Sequence, residues 1–145
     1  MNYTAAQIAP VRPCRWALAG ATAYVLWGML HLGLGVSMVA RALSGGLPSG
    51  ELESESLMFF VCASVFGAQA IAVGLVLNRV NDRFGYWLNL LTLGVIDTAF
   101  VAFMVVPGHV DPVGGLSGPL VWVAAAVAST IALSRSSSAA PHNET

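Results

Sequence analysis

The sequence predicts an all-α membrane protein, an antiparallel bundle of four transmembrane helices with both termini in the cytoplasm. The first observation is composition: 57% of the 145 residues are hydrophobic and 9% are charged, whereas soluble domains carry about 25% charged residues. The second is that the apolar residues fall into four blocks separated by short polar segments. The third is the length of these blocks, which suits bilayer-spanning helices of about 20 residues.

The four predicted spans form a single membrane domain over residues 1–145. The first apolar run is about 25 residues long, which exceeds the apolar region of a signal peptide and indicates a retained helix. The polar composition of the two ends predicts disordered tails. The spans are residues 16–40, 57–77, 85–106 and 116–133, and the tails are residues 1–12 and 135–145.

Two of the three connections differ strongly in length. Residues 41–56 contain glycines and a proline followed by Glu51, Glu53 and Glu55, which predicts an exposed and solvated loop. Residues 78–84 predict a tight polar turn, short enough only for neighbouring antiparallel helices.

The distribution of arginine predicts the orientation. The only basic residue on the side of the first loop is Arg41, and by the positive-inside rule the opposite side is cytoplasmic. All six basic residues are arginine, which we interpret as the codon usage of a GC-rich bacterium, so the predicted location is a bacterial cytoplasmic membrane. The arginines on the cytoplasmic side are Arg12, Arg15, Arg79, Arg83 and Arg135.

Asp97 is the strongest functional pointer in the sequence. It stands near the centre of residues 90–104, which are otherwise almost entirely apolar. An ionisable side chain at that depth costs about 3 kcal/mol or more, and such residues usually face the bundle interior and have a partner.

His31 is the expected partner of Asp97. At 1.5 Å of rise per residue, His31 lies about 22 Å above the cytoplasmic end of its span, Asp97 about 18 Å, Trp27 about 16 Å and Gln69 about 12 Å. These side chains can share one layer, so we expect His31 and Asp97 to face each other as a catalytic pair. The predicted ligand pocket around them consists of Trp27, Gln69, Tyr24, Asn89 and Trp122.

A stripe of small residues follows one face of the second span. Small side chains let helix backbones approach closely in a membrane, so the stripe predicts a helix-packing seam. It would mediate self-association if the seam lies between chains. Its members are Ala63, Gly67, Ala70 and Gly74.

A carboxylate beside an imidazole can move a proton in a dry pocket. That chemistry suits isomerisation or cyclisation of a lipophilic substrate, with His31 and Asp97 as acid and base, and it equally suits a proton relay in transport. The alternative is structural, because a buried hydrogen bond between these two side chains can simply fix how two helices meet.

No cofactor or metal is predicted. Bis-histidine haem needs two intramembrane histidines, and the spans contain one. Cys14 and Cys62 form no Cys-x-x-Cys motif, which disfavours thiol redox chemistry. His109 and Asp111 stand in the turn 107–115, where two candidate ligands alone do not make a metal site. The formal net charge of -1 gives no reason to propose binding to nucleic acid, which needs a clustered basic surface.

The pattern Gly28-x-x-His31-Leu-x-x-Gly35 in the first span, together with the chain length and the four spans, resembles small bacterial membrane proteins of the DoxX-like kind. That resemblance implies a four-helix bundle, often an accessory partner in a membrane complex. It assigns no site residues, and Asp97 departs from the family pattern.

The sequence therefore predicts a small integral membrane protein that is an accessory or lipophilic-ligand-binding component. The alternative is a membrane-embedded acid/base enzyme acting on a hydrophobic small molecule through Asp97 and His31. The expected partners are the lipid bilayer, a hydrophobic small molecule, and a second copy or another membrane protein.

Overall fold

The computed structural model describes residues 14–138, and all regular structure in this part of the chain is helical. Of the predicted disordered tails, residues 1–12 and 139–145 lie outside the described residues. A 3-10 turn, Asn78–Val80, follows the second helix, and a π-helical turn, Val101–Val105, follows the third. The helices are α1 Arg15–Ser44, α2 Glu51–Val76, α3 Arg83–Phe100, α4 Pro112–Gly115 and α5 Ser117–Ser138.

Within the described residues, four helical segments are long and apolar enough to cross a membrane. Each exceeds the roughly 20 residues that the hydrocarbon core requires. Length and composition therefore support a small integral membrane protein. The segments are Arg15–Ser44, Glu51–Val80, Arg83–Val105 and Pro112–Ser136.

The acidic segment predicted as a loop is in fact helical. α1 continues to Ser44 and ends where Gly46 adopts a φ of +107°, a left-handed conformation that favours glycine. α2 then begins at Glu51, so Glu51 and Glu53 occupy its first turn. Carboxylates are stabilised there because the helix dipole is positive at its N-terminus. The alternating acids therefore favour the start of a helix here, although their pattern is typical of a loop.

The last helix also extends further than the sequence predicted, since α5 continues to Ser138. Asn81 lies in the turn after α2, adopts a left-handed φ of 61° and contacts the C-terminal end of α5. The Asn81 side-chain amide donates to the Ala132 carbonyl at 3.2 Å and to Ser136 Oγ at 2.7 Å. These bonds stabilise the end of α5, a serine-rich segment for which the sequence predicts a disordered tail.

The helices surround a common interior. α1 packs against α2 and α5, and α3 packs against α5 and more lightly against α2, so α1 and α3 lie across the bundle from each other. The core contains large aromatic and aliphatic side chains together with alanines. Its fully buried members include Tyr24, Trp27, Ala70, Leu93 and Ala125.

The small-residue stripe of α2 lies against α1 of the same chain. A Cβ placed on Gly28 would lie 2.6 Å from the Gly67 carbonyl oxygen, and one placed on Gly67 would lie 2.6 Å from the Leu32 nitrogen. Ala70 and Gly74 are buried beside them and Ala63 is half-buried. The two backbones touch at this crossing, which only glycine permits.

Candidate functional site

Asp97 is 3% exposed and accepts a hydrogen bond from Trp27. The indole Nε1 of Trp27 donates to Asp97 Oδ2 at 2.9 Å. Because α1 and α3 lie across the bundle from each other, this bond passes through its interior. It links two helices whose backbones do not pack closely.

His31 contacts the same tryptophan in a different way. Its ring stacks on the Trp27 ring, with centroids 3.7 Å apart and planes 17° apart. His31 Nδ1 lies 2.9 Å from the Trp27 carbonyl oxygen, and since a carbonyl only accepts, Nδ1 carries the proton. Trp27 therefore offers its N–H edge to Asp97 and its face to His31.

α5 closes the site beside His31. A Cβ placed on Gly118 would lie 2.7 Å from His31 Cε1, 3.2 Å from His31 Nε2 and 3.8 Å from Trp27 Nε1. The imidazole thus packs on the backbone of α5, where any larger residue would displace it. The structure brings Asp97, His31 and Trp27 into one cluster, in which Trp27 contacts both ionisable side chains.

The layer around Asp97 is filled by side chains. Trp27, Tyr24 and Leu93 have no exposed surface. Leu93 stands one helical turn before Asp97 on the same face of α3, between Asp97 and Asn89. Asp97 is thereby enclosed by protein and shielded from the lipid.

The remaining residues of the predicted pocket also lie inward. Asn89 is fully buried, and its amide donates to Asn78 Oδ1 at 3.1 Å. Trp122 packs on Gly94 of α3, where an added Cβ would lie 2.6 Å from the indole ring. Gln69 is half-buried on α2.

Several buried polar atoms in the bundle lack a hydrogen-bond partner. Tyr24 Oη and Ser129 Oγ lie beside each other without a hydrogen bond of good geometry. Unsatisfied polar groups are costly in a membrane interior, where no bulk water can serve them. Among residues 14–138 these atoms are Tyr24 Oη, Gln69 Nε2, Asn89 Oδ1, Trp122 Nε1 and Ser129 Oγ.

The turn that contains His109 has a structural explanation. The Asp111 carboxylate accepts the Gly114 amide at 2.9 Å and so caps the short helix α4. Among residues 14–138, no group of three or more histidine, cysteine and acidic side chains is placed to hold a metal ion.

A cavity lies elsewhere, between the end of α1 and the start of α2. Its volume is about 710 Å³, and it is open to the surroundings, because most of its lining residues are exposed. Two charged side chains, Arg41 and Glu53, line it together with mainly apolar and small residues. The others are Met38, Ala42, Gly45, Gly46, Leu47, Pro48, Ser49, Leu52, Ser56, Leu57 and Phe60.

Sequence reasoning did not identify this cavity or the role of Trp27 as the donor to Asp97. Trp27 and His31 are four residues apart on one helical face, and an indole N–H needs an acceptor when buried, so that signal was available. The cavity depends on the path of the chain from Gly45 to Gly50, which has no periodic pattern.

Comparison with known proteins finds no matching family model, no matching curated protein and no matching solved structure.

Proposed function

We propose that this chain is a small accessory membrane protein that binds a lipophilic molecule in the cavity between α1 and α2. The Trp27–Asp97 hydrogen bond joins α1 and α3 across the bundle. It stabilises the fold and does not contact the bound molecule. The single observation behind the proposal is the position of the cavity. It opens at the end of the bundle, whereas the Asp97 layer is closed by buried side chains.

The proposed arrangement of the helices is antiparallel, with both termini in the cytoplasm of a bacterium. Glycine contacts between α1 and α2 support it: Gly28 faces Gly67, whereas later in α1 Gly35 faces Phe60, earlier in α2. The orientation rests on the arginine distribution. It puts the cavity on the outer side of the cytoplasmic membrane. Membership of the DoxX-like group remains a proposal that rests on the sequence pattern alone.

The test is photochemical labelling with a neutral fatty alcohol that carries a diazirine, in lipid nanodiscs. We expect labels on Met38, Leu57 and Phe60 in the native protein. Ala42→Trp should remove these labels because it fills the cavity. Ala40→Trp is the matched control, since Ala40 is exposed on the same helix and does not line the cavity. Labels spread evenly over the exposed apolar faces, or unchanged by Ala42→Trp, would contradict the proposal.

The acid/base enzyme is the second candidate. The observation that favours it is the Trp27 cluster, which joins a buried carboxylate to an imidazole. With Nδ1 bonded to its own helix, His31 offers Nε2 for proton transfer, and Asp97 offers its carboxylate. Catalysis requires a substrate to reach both atoms.

Accessibility separates the two candidates. In a background with Cys14→Ser and Cys62→Ser, an Asp97→Cys variant is treated with a small methanethiosulfonate. If position 97 has only a structural role, its buried cysteine should stay unmodified. If it belongs to an active site that a substrate can reach, the cysteine should react. A matched Leu91→Cys variant, on an exposed position of α3, reports the rate of modification at a lipid-facing position of the same helix.

A further inference from the structure

The cavity between α1 and α2 carries one positive and one negative side chain. Arg41 stands in the last turn of α1, and Glu53 stands in the first turn of α2. Glu53 Oε2 accepts the Ser49 amide at 3.1 Å, which turns this carboxylate toward the loop. No ion pair joins it to Arg41 within the described residues.

Neither charge is therefore neutralised by direct contact with the other. A guanidinium is always ionised and matches the oxygens of a phosphate. A carboxylate on the same wall attracts an ammonium group and repels a second anion. A ligand with a single negative head would be opposed by Glu53, and one with a single positive head by Arg41. A headgroup that carries both a phosphate and an ammonium can pair with Arg41 and Glu53 at the same time.

The apolar side of the cavity indicates that the ligand has hydrocarbon chains. Met38, Leu57 and Phe60 line it, and two further leucines lie at its rim. Leu47 is 86% exposed and Leu52 is 79% exposed, so both offer apolar surface that lacks protein contacts. This end of α1 is also where the apolar span meets the polar loop, at the level of lipid headgroups.

We propose that this cavity binds a zwitterionic phospholipid whose headgroup carries an ammonium. Arg41 binds the phosphate, Glu53 binds the ammonium, and the acyl chains lie on Met38, Leu57 and Phe60. The inference rests on the proposed function, because it assigns the chemical class of the lipophilic molecule in the same cavity.

The experiment is native mass spectrometry of the full chain released from mixed micelles. The micelles contain equal amounts of dioleoyl phosphatidylethanolamine and dioleoyl phosphatidylglycerol. The native protein should retain one phosphatidylethanolamine in preference to phosphatidylglycerol. Arg41→Gln should weaken the binding of both lipids about tenfold, the loss expected for one charge-assisted hydrogen bond. Glu53→Gln should reverse the preference toward phosphatidylglycerol, because the site then keeps only its cation.

Matched controls use charged residues outside the cavity. Glu51→Gln changes a residue two positions before Glu53, and Arg79→Gln changes a residue in the turn after α2; neither residue lines the cavity. Both should retain the native preference. Glycerophosphoethanolamine, the headgroup without acyl chains, should not compete, and competition by it would overturn the lipid assignment in favour of a free solute.

Two outcomes separate this inference from the proposed function. Equal binding of both lipids, unchanged by Glu53→Gln, would overturn the headgroup assignment. If the diazirine alcohol still labels the cavity in that case, the proposed function stands alone. Loss of the alcohol labelling as well would overturn both. Circular dichroism and elution volume establish that each variant is folded.

Discussion

The α1–α2 contact and the connection between α1 and α3 hold the same bundle by different means. Between α1 and α2, glycines bring the backbones together, so that a Cβ on Gly28 would lie 2.6 Å from the Gly67 carbonyl. Between α1 and α3, the backbones stay apart and Trp27 reaches Asp97 through a single hydrogen bond of 2.9 Å. The α1–α2 contact depends on glycines, which have no side chain. The α1–α3 connection depends on the polar side chains of Trp27 and Asp97.

The difference shows how each contact fails. A backbone contact tolerates no added volume, because a packed helix cannot shift without moving its neighbours. A polar contact tolerates a change of volume but not the loss of a partner, because the remaining group is left unsatisfied in a medium without water. Variants of the two contacts should therefore differ in both magnitude and chemistry.

The largest effect is expected at the α1–α2 crossing. Gly67→Leu should lower the free energy of unfolding by about 3 kcal/mol or more, because overpacking here meets backbone rather than flexible side chains. The measurement is unfolding in mixed micelles, with the yield of monodisperse protein as a second readout. Because Gly67 packs within the chain, oligomer size should not change among molecules that fold.

The matched control for this crossing is Gly33→Leu. Gly33 lies on the exposed face of α1, and an added Cβ would meet nothing within 4 Å. This variant should be at least as stable as the native protein, because leucine has a higher helix propensity than glycine. Equal destabilisation by both substitutions would show that close approach of the two backbones does not determine the result.

An intermediate effect is expected at Trp27. Trp27→Phe keeps an aromatic face for His31 but removes the donor to Asp97, and it should cost about 1–3 kcal/mol. In a double-mutant cycle, Asp97→Ala, which removes the acceptor, and Trp27→Phe, which removes the donor, should show a coupling energy of about 0.6–1.7 kcal/mol. The readout is again unfolding in mixed micelles.

The control is Trp87→Phe, which removes an indole from the half-exposed start of α3 and should cost little. Additive effects of the Trp27 and Asp97 substitutions, with no coupling, would show that the hydrogen bond does not hold the bundle together.

The smallest effect is expected between α3 and α5. Thr130 donates its hydroxyl proton to the Ala126 carbonyl at 2.7 Å, so the Tyr86 hydroxyl must be the donor in its 3.0 Å bond to Thr130. Tyr86→Phe leaves no donor unsatisfied and should cost about 0.6 kcal/mol. Thr130→Ser, which keeps the acceptor, should cost less. If Tyr86→Phe lowered the free energy of unfolding as much as Trp27→Phe, the two polar contacts would contribute equally to stability.

Much of the architecture was predictable because its causes are local. Hydrocarbon-length apolar runs predict helices wherever they occur, and a carboxylate in such a run must turn inward. Asp97 was therefore recognisable as a buried residue. The sequence predicts a loop for the glutamates at the start of α2, because their alternation resembles a solvated segment. This prediction is wrong, since stabilisation of these carboxylates by the helix dipole depends on where the helix begins.

The sequence by itself determined that the chain forms four long apolar helices, and it singled out Asp97, His31, Trp27 and the small-residue stripe. Only the tertiary structure decided which of these groups meet. The partner of Asp97 depends on which helices lie across the bundle and on the rotamer of Trp27, both of which follow from packing between distant segments. The cavity between Arg41 and Glu53 likewise exists only because two helix ends converge, a property that no single segment encodes.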